Sequence, residues 1–166
     1  MNPVSVDQTL PESTLRVASL LANLRHDQPI IMLNASGKTA AEAASGLGCN
    51  VAEIAKSIVF RRLADNVAVM VVASGINRVD VEKVAAIVGT LGKADAQFVR
   101  EKTGYAIGGV CPIGHTEKNL ILIDRDLLQY TKVWVAAGHP HAVFSLSPQQ
   151  LIAMTEAPVV DVALLS

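Results

Sequence analysis

Apolar residues recur along the chain at two spacings, which separate the predicted helices from the predicted strands. After Pro11, four leucines between residues 15 and 24 form a helical stripe that runs to about His26. The other predicted helices each begin at a Thr, Asp or Ser that can cap the first turn, and Thr39 and Glu42 have the spacing of a capping box. These helices cover residues 39–46, 80–88, 95–103 and 147–155.

Short apolar segments between turn residues predict the strands. Asp65-Asn66 lies between two of them and indicates a hairpin, and a helical turn at residues 51–55 is expected to lead the chain to Lys56. The predicted strands cover residues 29–33, 57–63, 67–73, 120–124, 133–137 and 142–146, and residues 159–164 close the fold.

The order of these elements favours the α/β (α+β) class. Helices and strands are interspersed without a regular βαβ repeat, which predicts a single domain with a mixed β-sheet flanked by helices. The 166 residues show no linker, repeat or low-complexity segment. We expect residues 1–10 to be a flexible lead-in and residues 11–166 to form the domain.

Composition narrows the function classes. Apolar residues make up 51% of the chain and aromatic residues 4%, so the core must consist mainly of Ala, Val, Leu and Ile. Charged residues, at 17%, fall below the usual ~25%, which indicates a partly apolar, recessed surface. The net charge of -1 argues against general nucleic-acid binding, although it allows contact with one end of an RNA.

The cellular setting follows from the cysteines and the N-terminus. Cys49 and Cys111 are too few for a disulfide framework, which favours a reducing compartment. The first residues lack the basic and apolar regions of a signal peptide, and no apolar run is long enough to cross a bilayer. We expect a soluble cytoplasmic protein that does not associate with membranes.

Two glycine motifs resemble nucleotide-binding loops and lack a required residue. Gly37-Lys38-Thr39 would need a glycine at Met32 to complete a phosphate-binding loop. Gly46-Leu47-Gly48 has Val51 where a dinucleotide fingerprint has its third glycine, and it ends a helix instead of opening one. Neither segment predicts a nucleotide site.

Cysteine and histidine residues raise two other possibilities. Cys111 and His115 are four residues apart, and His139 and His141 are two apart. These four side chains could supply zinc ligands only if their two loops met. Cys111 and His115 could alternatively form a thiol nucleophile and its base, although a glycine-rich loop enforces no such geometry.

Lys56 stands where a predicted helical turn becomes an apolar strand, in AEIAKSIVF. A lysine there can extend its stem along apolar surface and keep its ammonium in water. It can equally hold a phosphate or stabilise charge that develops on a carbonyl oxygen. The local pattern leaves both interpretations open.

Two further segments have unusual loop chemistry. Residues 108–115, GGVCPIGH, hold three glycines and a proline, and such a loop can present backbone N–H groups to an anion or a carbonyl. Residues 136–141, AAGHPH, make a tight connection between two strands and place two imidazoles at a strand edge. Ordinary turn chemistry would also account for either segment alone.

Together these segments resemble the YbaK-like proteins, relatives of the editing domain inserted in bacterial prolyl-tRNA synthetase. The resemblance rests on TAAEAASGLGCNVAEIAKSIVF, GYAIGGVCPIGH and AAGHPHAVFSLSPQQL, in that order. It runs from about residue 11 to residue 164, and the first segment is the most specific. It implies a single mixed α/β domain, a cytosolic location and neither metal nor cofactor.

The resemblance also implies an activity, which is hydrolysis of the ester that links a wrong amino acid to the 3′ adenosine of a tRNA. By position, Lys56 matches the family's essential lysine, Gly109 lies in the matching glycine-rich loop, and His141 falls at a functional histidine. These three are the expected catalytic residues. The expected substrate-binding residues lie in the same loops and are Gly108, Cys111, Pro112, Gly138 and His139.

This implied chemistry requires no strong nucleophile, because an aminoacyl ester is already reactive. Lys56 would act as an electrostatic clamp and the backbone around Gly109 as a hydrogen-bond donor. The 2′-hydroxyl of the adenosine or a histidine would handle the proton of the attacking water. Cavity size would select small amino acids such as alanine, cysteine or serine, on tRNA(Pro) as the family expectation.

Partners and alternatives complete the expectations. The expected partner is the 3′ end of an aminoacyl-tRNA, with prolyl-tRNA synthetase or an elongation factor as a further protein partner. One alternative is a module that binds aminoacyl ends without hydrolysing them. The other is a thiol hydrolase of small esters or amides that acts through Cys111 and His115.

Overall fold

The computed structural model describes residues 10–34 and 39–165. These residues contain five α-helices and eight β-strands, and the strands form two sheets. The helices are α1 Glu12–Asn23, α2 Ala40–Leu47, α3 Val81–Val88, α4 Ala96–Thr103 and α5 Pro148–Thr155. The strands are β1 Ile31–Met32, β2 Ala55–Arg62, β3 Ala68–Ser74, β4 Leu91–Lys93, β5 Leu120–Asp124, β6 Val133–His139, β7 Ala142–Leu146 and β8 Val159–Val160. Short 3-10 helices lie at Val51–Glu53 and Arg125–Gln129.

The larger sheet has the strand order β4-β2-β3-β5-β8. β2 and β3 form the antiparallel hairpin predicted at Asp65-Asn66, and β3, β5 and β8 run parallel. All seven residues of β3 are buried because this strand lies at the centre of the sheet and both of its faces are covered. β4 pairs with β2 only at residues 60–62, so residues 55–57 of β2 have no strand partner on that edge.

The smaller sheet has the order β1-β7-β6 and is antiparallel throughout. One isolated parallel bridge, between Ile54 and Trp134, links the start of β2 to β6. The predicted mixed sheet is therefore confirmed as a mixed α/β arrangement, but its strands divide between two sheets instead of one.

Three apolar clusters hold these layers together. The main cluster joins β2 and β3 to β6 and β7 and includes the fully buried Met70 and Phe144, and α1 contributes Val17 to it. A second cluster lies on the other face of the larger sheet beneath α3, where Val84 is fully buried. A third, smaller cluster packs α2 against Trp134. The core is built mainly from aliphatic side chains, as the composition predicts.

The helix starts are confirmed. The side chains of Thr39, Asp80, Asp95 and Ser147 each accept a hydrogen bond from a backbone N–H in the first turn of their helix. Thr39 Oγ1 accepts from the Glu42 amide at 3.1 Å and donates to Glu42 Oε1 at 3.2 Å. None of the helices in the described ranges is both long and apolar enough to cross a membrane.

Three segments differ from their predictions. The helical turn ends at Glu53, so Lys56 belongs to β2 instead of preceding it. The short edge strand β4 was not predicted, and the final strand covers only residues 159–160. Most of the predicted lead-in and residues 35–38 of the predicted NASGK turn, which include part of the Gly37-Lys38-Thr39 motif, lie outside the described residues.

Candidate active site

A small cavity of about 170 Å³ lies where the unpaired edge of β2 faces β6 and the 108–110 loop. Its wall is mostly apolar and includes Val110, Trp134 and the backbone of Gly108. Lys56 and Ser57 are part of the wall, and Thr39, at the start of α2, borders it. This cavity, called the site cavity below, has the size of a small side chain with its attached backbone.

Lys56 is the second residue of β2 and is half-buried, opposite Ala73 of β3. Its ammonium makes no hydrogen bond or ion pair with any other described residue. Burial lowers the pKa of Lys56, the nearby Arg78 guanidinium lowers it further, and the Asp124 carboxylate opposes them. A partly desolvated cation that no described residue pairs with is suited to bind an anion or a polarised carbonyl.

Asp124 is fully buried at the end of β5, yet its charge is matched by hydrogen bonds. It accepts from the Ser74 amide at 3.0 Å, from Asn77 Nδ2 at 2.8 Å and from the Asp126 amide at 3.0 Å. Asp124 therefore fixes the loop after β3 instead of forming an ion pair with Lys56.

Ser57 follows Lys56, and its hydroxyl has unusual surroundings. The alternation of β2 directs Ser57 to the face of the strand that holds Ala55 and Val59, toward the main core cluster. Ser57 Oγ is closed off from solvent and has no hydrogen-bond partner among the described residues. A buried hydroxyl without a partner is uncommon in folded proteins.

The glycine-rich loop contributes through two glycines with different roles. Gly108 has a φ of +91°, is exposed and lines the site cavity. Gly109 is buried, and its N–H donates to the Ala106 carbonyl at 3.0 Å. The amide of Gly109 is thus already engaged, so the backbone that faces the cavity belongs to Gly108 and Val110.

The turn between β6 and β7 packs on this loop. Pro140 lines the site cavity, whereas neither the His139 nor the His141 ring does. The two rings lie edge to face with centroids 5.4 Å apart, and His139 Nδ1 accepts the His141 amide at 3.1 Å. Burial and the neighbouring His141 lower the pKa of His139, which favours its neutral form.

Gly138 has a structural role in this arrangement. Its φ is +90°, and a Cβ atom there would lie 2.8 Å from the Ser13 carbonyl oxygen. The hydroxyl of Ser13 donates to the Gly138 carbonyl, so α1 begins directly against this turn. Gly138 faces α1 and does not line the site cavity.

Cys111 and His115 do not form a nucleophile and base. Cys111 is fully buried in the main core cluster, and burial raises its pKa to about 12. His115 Nε2 lies 2.8 Å from the Cys111 carbonyl oxygen, and its Nδ1 lies 2.9 Å from Asn119 Nδ2. Both ring nitrogens therefore have partners other than the thiol, which argues against the thiol hydrolase alternative.

The structure also separates the residues considered for zinc. Within residues 10–34 and 39–165, no three His, Cys, Asp or Glu side chains are grouped so that they could hold a metal ion. The pairs Cys111/His115 and His139/His141 thus do not combine into one ligand set.

Of the residues predicted from the sequence, Lys56 and Gly108 line the site cavity. His139 and His141 flank Pro140 in the chain, and Gly109 packs against the backbone of His139. The remaining predicted residues, Cys111, Pro112 and Gly138, are buried outside the cavity wall. The catalytic and binding roles assigned to all eight stay predictions.

Sequence reasoning missed several wall residues, above all Ser57 and Trp134. The signal for Ser57 was its place beside Lys56 on a strand edge, which becomes informative only once the partner strands are known. Trp134 is the single tryptophan of the chain and sits within an otherwise small-residue strand, VWVAA.

Comparisons with known proteins agree with this geometry. The family model of the aminoacyl-tRNA editing domain matches residues 34–154, which include the whole wall of the site cavity. The uncharacterized protein YwhH of Bacillus subtilis (strain 168) is 32% identical over 117 residues, covering 70% of this chain and 74% of that protein.

Solved structures share the whole fold. The crystal structure of a candidate trans-editing enzyme for prolyl tRNA synthetase is 40% identical, with a TM-score of 0.87 over 95% of this chain and 100% of that one. The hypothetical protein APE2540 is 29% identical, with a TM-score of 0.82 over 90% of this chain and 99% of that one. Because the family model matches most of its sequence and solved relatives share its whole fold, the chain belongs to the aminoacyl-tRNA editing domain family of YbaK-like proteins.

Proposed function

We propose that this protein is an aminoacyl-tRNA deacylase, which hydrolyses the ester of a small amino acid wrongly attached to a tRNA. The observation that carries the proposal is the half-buried ammonium of Lys56, which has no hydrogen-bond or ion-pair partner among the described residues, at the edge of a small, mostly apolar cavity. A cation at the rim can hold the RNA end, while the cavity accepts only a small amino acid. The family membership supports the same assignment.

The chemistry requires positioning more than a strong catalyst. A water molecule adds to the ester carbonyl carbon, the bond from that carbon to the ribose oxygen breaks, and the products are a free amino acid and a free tRNA 3′ end. Lys56 would stabilise negative charge on the carbonyl oxygen or the adjacent phosphate. Backbone groups of the 108–110 loop would border the aminoacyl group, and Gly109 would let this loop approach the β6–β7 turn.

A proton must leave the attacking water and reach the ribose oxygen. The 2′-hydroxyl of the adenosine or one of the two histidines would mediate this transfer. Because Nδ1 of His139 accepts the amide of His141, a neutral His139 ring carries its proton on Nε2 and is a donor. This leaves His141 as the better candidate for a proton acceptor.

The charge of the chain fits a protein that binds only the end of its RNA. With a net charge of -1, it offers little general attraction to a phosphate backbone. We therefore propose that it acts in trans and in the cytoplasm on tRNA released from a synthetase. Prolyl-tRNA synthetase or an elongation factor would supply further affinity, and tRNA(Pro) is the first substrate to test, since a structural relative is described with prolyl tRNA synthetase.

The test is a deacylation panel with alanine, cysteine and serine, each attached to tRNA(Pro) and to its own cognate tRNA. We expect the wild-type protein to release at least one of them, and the Lys56→Ala variant to lose at least tenfold in rate, since one electrostatic contact in a transition state is often worth that much. Lys118→Ala, which removes an exposed lysine elsewhere, is the matched control. Equal rates for wild type and Lys56→Ala would contradict the proposal.

A binding module without activity is the remaining candidate, because the same cavity and cation could hold an aminoacyl end without hydrolysing it. Tight binding of mischarged tRNA that depends on Lys56, with no release of amino acid, would establish this alternative.

A further inference from the structure

Ser57 is a polar group that the proposed mechanism does not use. Its Oγ is buried and has no hydrogen-bond partner within residues 10–34 and 39–165, and the two other buried side-chain atoms of these ranges in the same condition, on Thr14 and His26, lie away from the site cavity. Leaving a buried hydroxyl without a partner is unfavourable, because the group loses its hydration and gains no hydrogen bond in exchange. Such a cost at a cavity wall points to a partner supplied by a ligand.

The position of Ser57 supports a ligand contact. Ser57, Gly108 and Val110 line both the site cavity and a neighbouring cavity of about 270 Å³, so they form the wall that the two share. No hydrogen bond holds the Ser57 hydroxyl in its present rotamer. Rotation about Cα–Cβ to another staggered position is therefore open to it, and because Ser57 lines both cavities, a ligand in either one would lie next to this side chain.

The surroundings indicate which part of a substrate would meet this hydroxyl. Lys56 leaves the strand on the opposite face from Ser57, so the two residues would contact different parts of the substrate. If Lys56 holds the RNA end or the ester, Ser57 faces the amino-acid side chain. The neighbouring wall is apolar and includes Val110, Val135 and Trp134. A charged side chain in this place would lose its hydration, and one hydrogen bond to Ser57 would not compensate for that loss.

The geometry points to Ser57 as the residue that selects the amino acid, in favour of a small, neutral side chain that carries a hydroxyl, such as that of serine. This inference rests on the proposed function and specifies its substrate. A serine side chain would satisfy the hydroxyl of Ser57. An apolar side chain of the same size would fill the cavity and leave that hydroxyl unpaired.

The test compares two esters on the same tRNA(Pro), seryl and 2-aminobutyryl, which differ by a hydroxyl against a methyl group. Because both esters are attached to the same tRNA, the contribution of tRNA binding is the same for both and cancels in the ratio of their rates. We expect the wild-type protein to favour the seryl ester by roughly threefold to tenfold, the value of one neutral hydrogen bond. The Ser57→Ala variant should abolish this preference by slowing the seryl ester alone.

A matched control separates specificity from structure. Thr14→Val removes another buried hydroxyl without a partner, in α1 and outside both cavities, and should leave the preference unchanged. Neither variant should lower the thermal midpoint, because neither breaks a hydrogen bond within the protein. A lower midpoint for Ser57→Ala would instead assign the hydroxyl a structural role and overturn the inference.

The remaining outcomes are distinguishable. Equal wild-type rates on the two esters, or an equal loss on both in Ser57→Ala, would overturn the specificity role and leave deacylation standing. Release of neither ester, nor of any other in the panel, would contradict the proposed function, and the inference would fail with it.

Discussion

Gly109 lies directly against the backbone of His139. A Cβ atom at position 109 would be 2.7 Å from both Cα and the amide nitrogen of His139, which is closer than real Cβ contacts occur. Because the clash is with backbone atoms, a change of rotamer cannot relieve it, as it could for a flexible side chain. This contact sets the distance between the 108–110 loop and the turn that carries both histidines.

The first prediction follows from this contact. Gly109→Ala should force the loop away from the turn and lower the free energy of unfolding by about 1–3 kcal/mol, as overpacking in a core does. Deacylation should fall as well, since Gly108 would move with the loop. Urea denaturation and initial rates measure the two effects.

Gly46→Ala is its control. A Cβ atom at Gly46 meets only the Leu33 side chain, at 3.4 Å, and alanine favours the helix. A Gly109→Ala protein as stable as Gly46→Ala would show that the loop adjusts without strain.

The second prediction concerns the pH dependence of activity. Lys56 acts while protonated, and burial and Arg78 lower its pKa from the ordinary value of 10.5. The Lys56-dependent rate should therefore be complete at pH values below this lowered pKa and fall as the pH rises through it, sooner than an ordinary lysine would allow. Initial rates from pH 6.5 to 9.5, corrected for spontaneous hydrolysis, measure it.

Lys56→Arg provides the comparison, because arginine keeps its charge throughout this range. In any Lys56→Arg protein that retains activity, the alkaline loss should disappear. An identical pH profile for the two proteins would assign the titration to another group.

The third prediction concerns the cysteines. Cys111 is fully buried with a pKa of about 12, whereas Cys49 is partly exposed. A thiol reagent at pH 8 should modify Cys49 first, and deacylation should survive both this modification and a Cys111→Ser substitution that leaves the protein folded. Mass spectrometry measures the modification of each cysteine, and initial rates measure deacylation. Loss of activity in step with modification of Cys111 would restore the thiol mechanism.

The fourth prediction concerns the size of the site cavity. Ala136 of β6 lines it, and Ala136→Val would add two methyl groups to a space of about 170 Å³. Valine suits a strand, so the thermal midpoint should change little. Hydrolysis of a 2-aminobutyryl ester should then slow more than that of an alanyl ester. An equal effect on both would indicate that the side chain does not enter this cavity.

Local sequence patterns predicted many of the helices and strands. Thr39, Asp80, Asp95 and Ser147 cap their helices because the capping side chain and the amides it satisfies lie within three residues of each other. The hairpin at Asp65-Asn66 is equally local. The division into two sheets could not be read in the same way, because it depends on which distant strands pair, as β3 does with β5.

The site shows the same limit. Lys56 was a candidate from its own segment, but that pattern left its role open, and the glycine-rich loop and the AAGHPH segment that accompany it were needed to select it. Cys111 was singled out on loop composition, but its burial depends on the packing of the main core cluster, which no local pattern records. Ser57 went unnoticed because serine in a strand is ordinary until its hydroxyl is found without a partner.

The bridge between Ile54 and Trp134 has a consequence for how substrate preference can change. Among the described residues this bridge joins the start of β2 to β6 beside the site cavity, and the cavity is lined by residues of both sheets. Met70 of the larger sheet and Phe144 of the smaller sheet belong to the main core cluster and do not line the cavity, and we expect its width to depend on how they pack. We therefore expect that a substitution between the sheets can change which amino acid fits the cavity, although every residue that lines the cavity stays the same.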